Sequence, residues 1–458
     1  METLPPPERP LRWGEIIHSI VAGLLIVALI TAALFAYRGG VSAAAAPDVI
    51  IIVVADALRA DRLSCYAAYQ ADGQPAVPTP HIDSLAQDGV LYRYMNAQSS
   101  WTKPSVATLL SSIYPSTHRA LTEEDILPAA VLTLPEILAA QGYHTVGFVA
   151  NTNLFHELNF QQGYQEYYDL DPAESAFLRH GDHFYQEAER INWRVLPWVE
   201  AHHDQRFFMY IHYMDPHDPY FIHPYDGRSF HSEDKVPAWL LRDIYDGEIA
   251  YFDQHFGNLL ATLKRLGLYD QALIIFTADH GEEFYEHQGW AHGETLYQEI
   301  MNVPLIIKYP GNARAGTVDE GLARMLDVAP TVLDVAGIAP PATMQGVSLR
   351  LPPTSPARTQ IVFAEDPIRA GVMAVRTTRY KLIQVTTGDP RGRGQTQLYD
   401  LEVDPGETIN LATRRPDLVA RLDTDLRRIL AQAEETTITG QGAELSPEFR
   451  ERLRRLGY

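Results

Sequence analysis

The chain is predicted to be an α/β protein, with a mostly parallel sheet sandwiched by helices and a smaller C-terminal α+β subdomain behind it. Three observations predict this. Continuous apolar, β-branched runs recur between residues 49 and 309; amphipathic helical patterns separate them; and the texture changes after about residue 350. Strands that alternate with helices form parallel sheets, and their strands are buried on both faces.

Ahead of the first strand, residues 16–37 (IIHSIVAGLLIVALITAALFAY) are almost wholly apolar. The run is long enough to cross a bilayer as a helix and long for the core of a signal peptide. Arg9 and Arg12 precede it and Arg38 comes after it, which favours an inside N-terminus, with Glu8 and Glu15 working against that bias. The small residues of SAAAAP (42–47) would suit a signal peptidase, but the length favours an uncleaved anchor. The expected plan is a cytoplasmic tail at 1–15, a transmembrane helix at 16–37 and a tether at 38–46, with the bulk of the chain on the periplasmic or extracellular side.

The buried strands expected next are VIIIVV (49–54), TVGFVA (145–150), FFMYIHY (207–213), ALIIFTA (272–278) and VPLIIKY (303–309). Helices are expected at TLPEILAAQG (133–142), GEIAYFDQHFGNLLATLKRLG (247–267) and MLDVAPTVLDVAG (325–337), with Gly142, Gly267 and Gly337 where C-caps belong. Residues 170–245, rich in His, Asp and Tyr, lack a clear period and are expected to include long surface loops, which often line sites. LPPTSPAR (351–358) is a proline-rich connector. GVMAVRTTRYKLIQV and QTQLYDLEV then read as antiparallel strands, and PDLVARLDTDLRRILAQAEE as an amphipathic helix. The main domain is therefore placed at 47–350 and the C-terminal subdomain at 351–458.

Charge and cysteine content exclude some functions. With 37 basic and 58 acidic residues the net charge is −21, which repels a nucleic-acid backbone, so no nucleic-acid partner is expected. The single cysteine, Cys65, permits neither an internal disulfide nor a cysteine zinc cluster.

Ligands of open parallel sheets bind beyond the carboxyl ends of the strands. Just past the successive buried runs stand Asp56, then Asn151, then Asp215 and His217, then Asp279 and His280. Asp56, Asp279 and His280 form a mixed oxygen and nitrogen set suited to one divalent ion. Asp56 taken alone fits a helix N-cap equally well. The segment TADHGEEFYEHQGWAHGETLYQE brings His287 and His292 within reach of the same edge; His292 is the better candidate for the site, and His287 also reads as a surface-loop residue. In SSWTKPSVATLL, Pro104 is expected at the first helical position, with Thr102 at or just before the helix N-terminus. Such a terminus favours anions and an alkoxide. Judged locally, Thr102 or Ser105 reads as a simple cap.

Together these segments resemble the sulfatase family of the alkaline phosphatase superfamily, over residues 47–412. PDVIIIVVADALRADRLSCY resembles the opening strand with its metal aspartate, and WTKPSVATLLSSIYPSTH the nucleophile motif. YMDPHDPY, FTADHGEE, HGETLYQEIMNVPLIIKYPG and LYDLEVDPGETINLA resemble the substrate-histidine, second metal, adjoining strand and closing segments. The resemblance implies an alkaline-phosphatase-like fold. It also implies Asp56, Asp279 and His280 as ligands of one divalent metal ion (Mn, Zn or Ca) and Thr102 as nucleophile. His217 and His292 would be catalytic, and Lys103, Asn151 and Asp215 would contact the substrate.

The departures are informative. Thr102 stands where the family has the cysteine or serine that becomes formylglycine, so no formylglycine is expected. Val106 replaces an arginine, Ala57 a second aspartate, His280 an asparagine and His292 a lysine. Threonine lacks the second hydroxyl through which a formylglycine hydrate expels sulfate. A phosphothreonine is easier to open at a metal site. The expectation is a metal-dependent hydrolase or transferase acting on phosphate (di)esters or sulfate esters of a small molecule, lipid headgroup or glycan, tethered to a membrane by its N-terminal helix. The alternatives are a true sulfuric ester hydrolase and a non-catalytic sulfatase-like binding protein.

Overall fold

The structure, a computed structural model, describes residues 46–69, 76–169, 187–224, 228–232, 234, 236–366, 371–386, 394–439, 445–447 and 449–450. The expected tail, transmembrane helix and most of the tether lie outside the described residues. Among the described residues no helix is long and apolar enough to cross a membrane.

Residues 47–458 form one compact unit around an eight-stranded sheet. Its strands are β1 (Val49–Ala55), β2 (Val90–Asn96), β3 (His144–Val149), β4 (Glu166–Asp169), β5 (Phe207–Tyr213), β6 (Leu273–Thr277), β7 (Leu305–Lys308) and β8 (Thr317–Arg324). The spatial order is β8-β2-β7-β6-β1-β5-β3-β4. Every pairing is parallel except those of β7, which runs antiparallel between β2 and β6. The expected mostly parallel α/β sheet is therefore present. β1, β5 and β6 are buried along their whole length, which is why they read as unbroken apolar runs.

Two groups of helices cover the sheet. α1 (Pro80–Asp88), α4 (Ala188–Ala201) and α5 (Ala238–Arg265) pack together, and α2 (Thr102–Ser111) packs with α3 (Leu134–Ala140) and α6 (Val328–Val335). Gly142, Gly267 and Gly337 all take positive φ just beyond helix ends, as their expected capping role requires. The 170–245 segment, expected to include long loops, also holds helices. Among its described residues are α4, which has no clear signature in the sequence, and the start of α5 nine residues ahead of its expected position. β2, β4 and β8 were not expected either.

The C-terminal part adds an antiparallel sheet of β9 (Val362–Asp366), β10 (Val372–Arg376), β11 (Tyr380–Val385) and β12 (Thr396–Asp400), with α7 (Pro416–Glu435) across it. Phe363, Val375, Leu382 and Leu398 face Leu418, Leu422, Leu426 and Ile429 of α7. Their alternating neighbours Ala364, Ala374, Ile383 and Tyr399 join the main core instead. The two-residue period of a strand thus buries this small sheet on both sides.

Candidate active site

The strands β6, β1, β5 and β3 are neighbours, so the residues at their carboxyl ends meet. Asp56 comes directly after β1, Asp279 after β6 and Ala278, Asn151 after β3 and Ala150, and His212 lies at the end of β5, in register with Val54. Thr102 opens α2. All are buried, and His280 with them. Gly281 makes the turn after His280 possible, because a Cβ there would stand 2.0 Å from the Glu299 carbonyl oxygen.

The hydrogen bonds of His280 fix its tautomer. Nδ1–H donates to the Gly281 carbonyl at 2.9 Å, leaving Nε2 as a bare lone pair. Nε2 lies 3.4 Å from Asp56 Oδ1, 3.5 Å from Asp279 Oδ2 and 3.3 Å from Thr102 Oγ1. Burial holds this imidazole below its ordinary range, so it is neutral. Asp56 Oδ1 and Asp279 Oδ2 are buried without a hydrogen-bond partner. Lone pairs converging this way repel unless a cation stands among them. Separations near 3.4 Å are those of ligands sharing one ion at bonds of about 2.0–2.5 Å. The expected metal set of Asp56, Asp279 and His280 therefore fits a divalent ion.

His212 was not expected at the site. With Asp56 and Asp279 it makes a group whose ligand atoms all lie within 4.8 Å of one another. Both of its nitrogens are engaged, however. Nε2 lies 2.9 Å from Asp56 Oδ2, and Nδ1 lies 2.9 Å from the Tyr210 hydroxyl. A bare Nε2 would face a carboxylate oxygen, so Nε2 carries the proton and donates to Asp56 while Tyr210 donates to Nδ1. His212 orients Asp56, as outer partners of metal ligands do. Asn151 Nδ2 donates to the same Oδ2 at 2.7 Å and lies 3.3 Å from Thr102 Oγ1. Burial alone would raise the Asp56 pKa; the charge of His217 and the His212 hydrogen bond outweigh it and keep the carboxylate ionised. A histidine inside the otherwise uncharged run FFMYIHY was the available signal.

His217 and His292 stand over the cluster, with ring centroids 4.9 Å apart; the His292 ring is 4.1 Å from that of His280. His292 Nδ1–H donates to Glu282 Oε1 at 2.9 Å, and the Tyr220 hydroxyl donates to Glu282 Oε2 at 2.9 Å. Glu282, inside the quoted TADHGEE segment, was not singled out from sequence. Burial pushes its carboxyl up to about 8.

Thr102 is not a cap. α2 begins at Thr102 itself with Trp101 as the N-cap residue, and no side chain caps the helix. Pro104 is therefore the third helical residue rather than the first, still within the turn whose N–H groups lack partners. Ser105 Oγ donates to the Ser99 carbonyl instead of capping.

Two expected substrate contacts are directed elsewhere. Lys103 Nζ donates to the carbonyls of Thr122, Glu123 and Asp125, because residues adjacent in a helix point to different sides. Asp215 turns its buried carboxyl toward His223 and Glu248. His287 is not a surface residue: its ring stacks on Tyr297 at 3.7 Å, and Nδ1 contacts Glu299. Of the family departures, Val106 belongs to the hydrophobic core, and Ala57, at φ 58°, donates its N–H to Asp279 Oδ1 at 3.2 Å.

A parallel sheet with an acid and imidazole cluster beyond its central strands, and a helix-borne hydroxyl aimed into it, defines an alkaline-phosphatase-like protein. The chain belongs to the sulfatase family: residues 48–338 match the Sulfatase family model, and residues 286–435 match that of the C-terminal region of N-sulphoglucosamine sulphohydrolase. It is similar to arylsulfatase K of Bos taurus, at 29% identity over 46% of this chain and 41% of that protein; the match thus spans about two fifths of the relative's length. It is also similar to the multifunctional alkaline phosphatase superfamily protein PehA of Trinickia caryophylli, at 24% identity over 79% of this chain and 91% of that protein. The structure resembles the phosphonate monoester hydrolase of Agrobacterium radiobacter, with a TM-score of 0.70 at 21% identity, covering 88% of this chain and 98% of that one, a likeness of fold.

Proposed function

We propose that this protein hydrolyses phosphate or phosphonate esters with Thr102 as nucleophile. Thr102 Oγ1 sits 3.3 Å from the bare Nε2 of His280, beside two unpartnered carboxylate oxygens, and this juxtaposition supports the proposal. Asp56, Asp279 and His280 would hold a divalent cation. When bound, such an ion polarises a non-bridging ester oxygen and lowers the pKa of a neighbouring hydroxyl.

The chain's own residues do the rest. Asn151 Nδ2, 3.3 Å away, and the start of α2 stabilise negative charge on Oγ1. Thr102 releases its hydroxyl proton to solvent and attacks as the alkoxide: Oγ1 bonds to phosphorus, the bond to the leaving oxygen breaks, and His217 supplies that oxygen's proton. Water then opens the phosphothreonine, and neutral His292 takes the water's proton. Transfer to an acceptor alcohol in place of water is the same step with a different nucleophile. The fold similarity to a phosphonate monoester hydrolase and the near full-length match to PehA agree with this substrate class.

Sulfate ester hydrolysis is the second reading, favoured by the match to arylsulfatase K. The absent second hydroxyl on Thr102 argues against rapid turnover by that route. The orphaned carboxylate oxygens argue against a non-catalytic protein. The N-terminal anchor, with the catalytic body on the periplasmic or extracellular side, belongs to the same proposal.

A panel of nitrophenyl phosphate, phosphodiester, phosphonate and sulfate esters, assayed with Mn, Zn and Ca, separates the readings. Thr102→Ala is expected to lower kcat by at least about 10³-fold with bound metal unchanged. Acid quenching of the native enzyme should trap phosphate on the Thr102 peptide. Full turnover by Thr102→Ala would overturn the proposal.

A further inference from the structure

A second buried cluster lies behind the loop that carries His217. Asp215 stands just past β5, His223 just past the short strand Tyr220–Phe221, and Glu248 projects from the middle of α5. One ligand atom of each lies within 4.8 Å of the others. Both oxygens of Asp215 are buried without a hydrogen-bond donor, the carboxyl lies within hydrogen-bond reach of the Glu248 carboxyl, and the residue is 0% exposed. His223 Nε2 is 3.0 Å from Glu248 Oε2, and the Phe221 N–H donates to Glu248 Oε1. The His223 ring is held flat against Tyr251, at 3.7 Å and 6°. Among the described residues no lysine or arginine pairs with either acid.

Two buried carboxyl groups facing one another without a lysine or arginine need a proton or a cation between them. A shared proton would satisfy one oxygen pair, with a neutral His223 donating from Nε2 to Glu248 Oε2. A divalent ion would balance both carboxylates and use the imidazole as well. Atoms on one tetrahedral ion with bonds of about 2.0 Å are about 3.3 Å apart, close to the His223–Glu248 separation. An imidazole beside two carboxylates suits zinc or manganese better than calcium or magnesium.

We propose that Asp215, His223 and Glu248 bind a second divalent cation, of the zinc or manganese kind, which pins the 214–224 segment to α5. This set shares no residue with the Asp56, Asp279 and His280 set. Its role is positional: His217 sits between Asp215 and His223 in the chain, so the ion would anchor both sides of the segment that presents His217 to the substrate.

The test is metal stoichiometry on tag-free, full-length protein purified with zinc and, separately, with manganese. Two equivalents are expected in the native chain. One equivalent is expected in Asp279→Asn/His280→Ala, and its X-ray absorption spectrum should show a single imidazole with oxygen ligands. Asp215→Asn/Glu248→Gln should lose one equivalent and exchange amide hydrogens faster at 214–224. A single equivalent in the native protein with none in Asp279→Asn/His280→Ala would show that the carboxyl pair shares a proton, and would overturn the proposal. So would a second equivalent that persists in Asp215→Asn/Glu248→Gln, since it would belong elsewhere. Because Asp279→Asn/His280→Ala is read without any turnover, the result stands apart from the assignment of the reaction.

Discussion

His217 and His292 face one another at 4.9 Å, yet their surroundings separate their protonation states. Burial pulls His217 down, but the negative charges of Asp56 and Asp218 help to outweigh it and hold the ring above its usual range. His292 is pushed down to about 4 by burial and then by the charge of His217. One ring is thus a proton donor near neutrality and the other a free base, which is why they take opposite roles in the proposed reaction. These states set the sign of the pH dependence. Activity should rise as pH climbs through about 4 and His292 loses its proton. It should fall as pH passes the raised His217 value and the acid is lost. A cation at Asp56 would offset part of that rise and draw the alkaline limb to lower pH. His217→Gln should remove the alkaline limb and cost about 10²–10⁴-fold in kcat. A native kcat profile still rising at pH 9 would exclude His217 as the acid. The sequence singled out both histidines, which the structure brings beside the cluster, but not their neighbour Glu282, whose partners come from distant segments.

At the scale of the element, α2 shows what one residue of register does. Thr102 and Lys103 are adjacent, yet one points to His280 and the other ties down the 122–125 loop through three carbonyls. Lys103→Met would leave those carbonyls short of a donor and should destabilise the fold by about 2 kcal/mol. Its KM should stay near the native value, measured beside a thermal melt; a large rise in KM with an unchanged melt would restore Lys103 to the substrate. Elements buried on both faces were legible in the sequence because an unbroken apolar run has few other uses. β5 spans the expected 207–213, and α7 the expected 416–435. β8, with sequence TVDEGLAR and a largely exposed first half, was not legible. An edge strand carrying acids and a glycine owes its state to pairing with β2 rather than to propensity.

At the scale of the molecule, the C-terminal sheet is held from both sides, by α7 on one face and by the main core on the other. It is therefore expected to unfold with the body in one transition. Leu422→Ala, at a fully buried position on α7, should cost about 2–5 kcal/mol and shift that single transition. Two separate calorimetric transitions would show that the sheet is an autonomous unit. The texture change near residue 350 marked a change of topology, from parallel to antiparallel pairing. What the composition could not convey is that both sheets share a core, because burial of alternate strand faces depends on what packs there.

The sequence alone determined the mostly parallel α/β architecture, the edge on which polar residues would collect, and that Asp56, Thr102, Asn151, Asp279 and His280 would come together there. Local pattern is enough for these: an apolar run makes a buried strand, and the residue after it lies at the sheet's carboxyl edge. Tertiary structure alone decided who faces whom. It engaged His212 with Asp56, turned Lys103 to a loop, sent Asp215 to His223 and Glu248, and left the Nε2 of His280 bare beside two unpartnered oxygens. The reason is physical: chain spacing fixes where a residue stands along an element, while strand order and packing fix what its side chain meets.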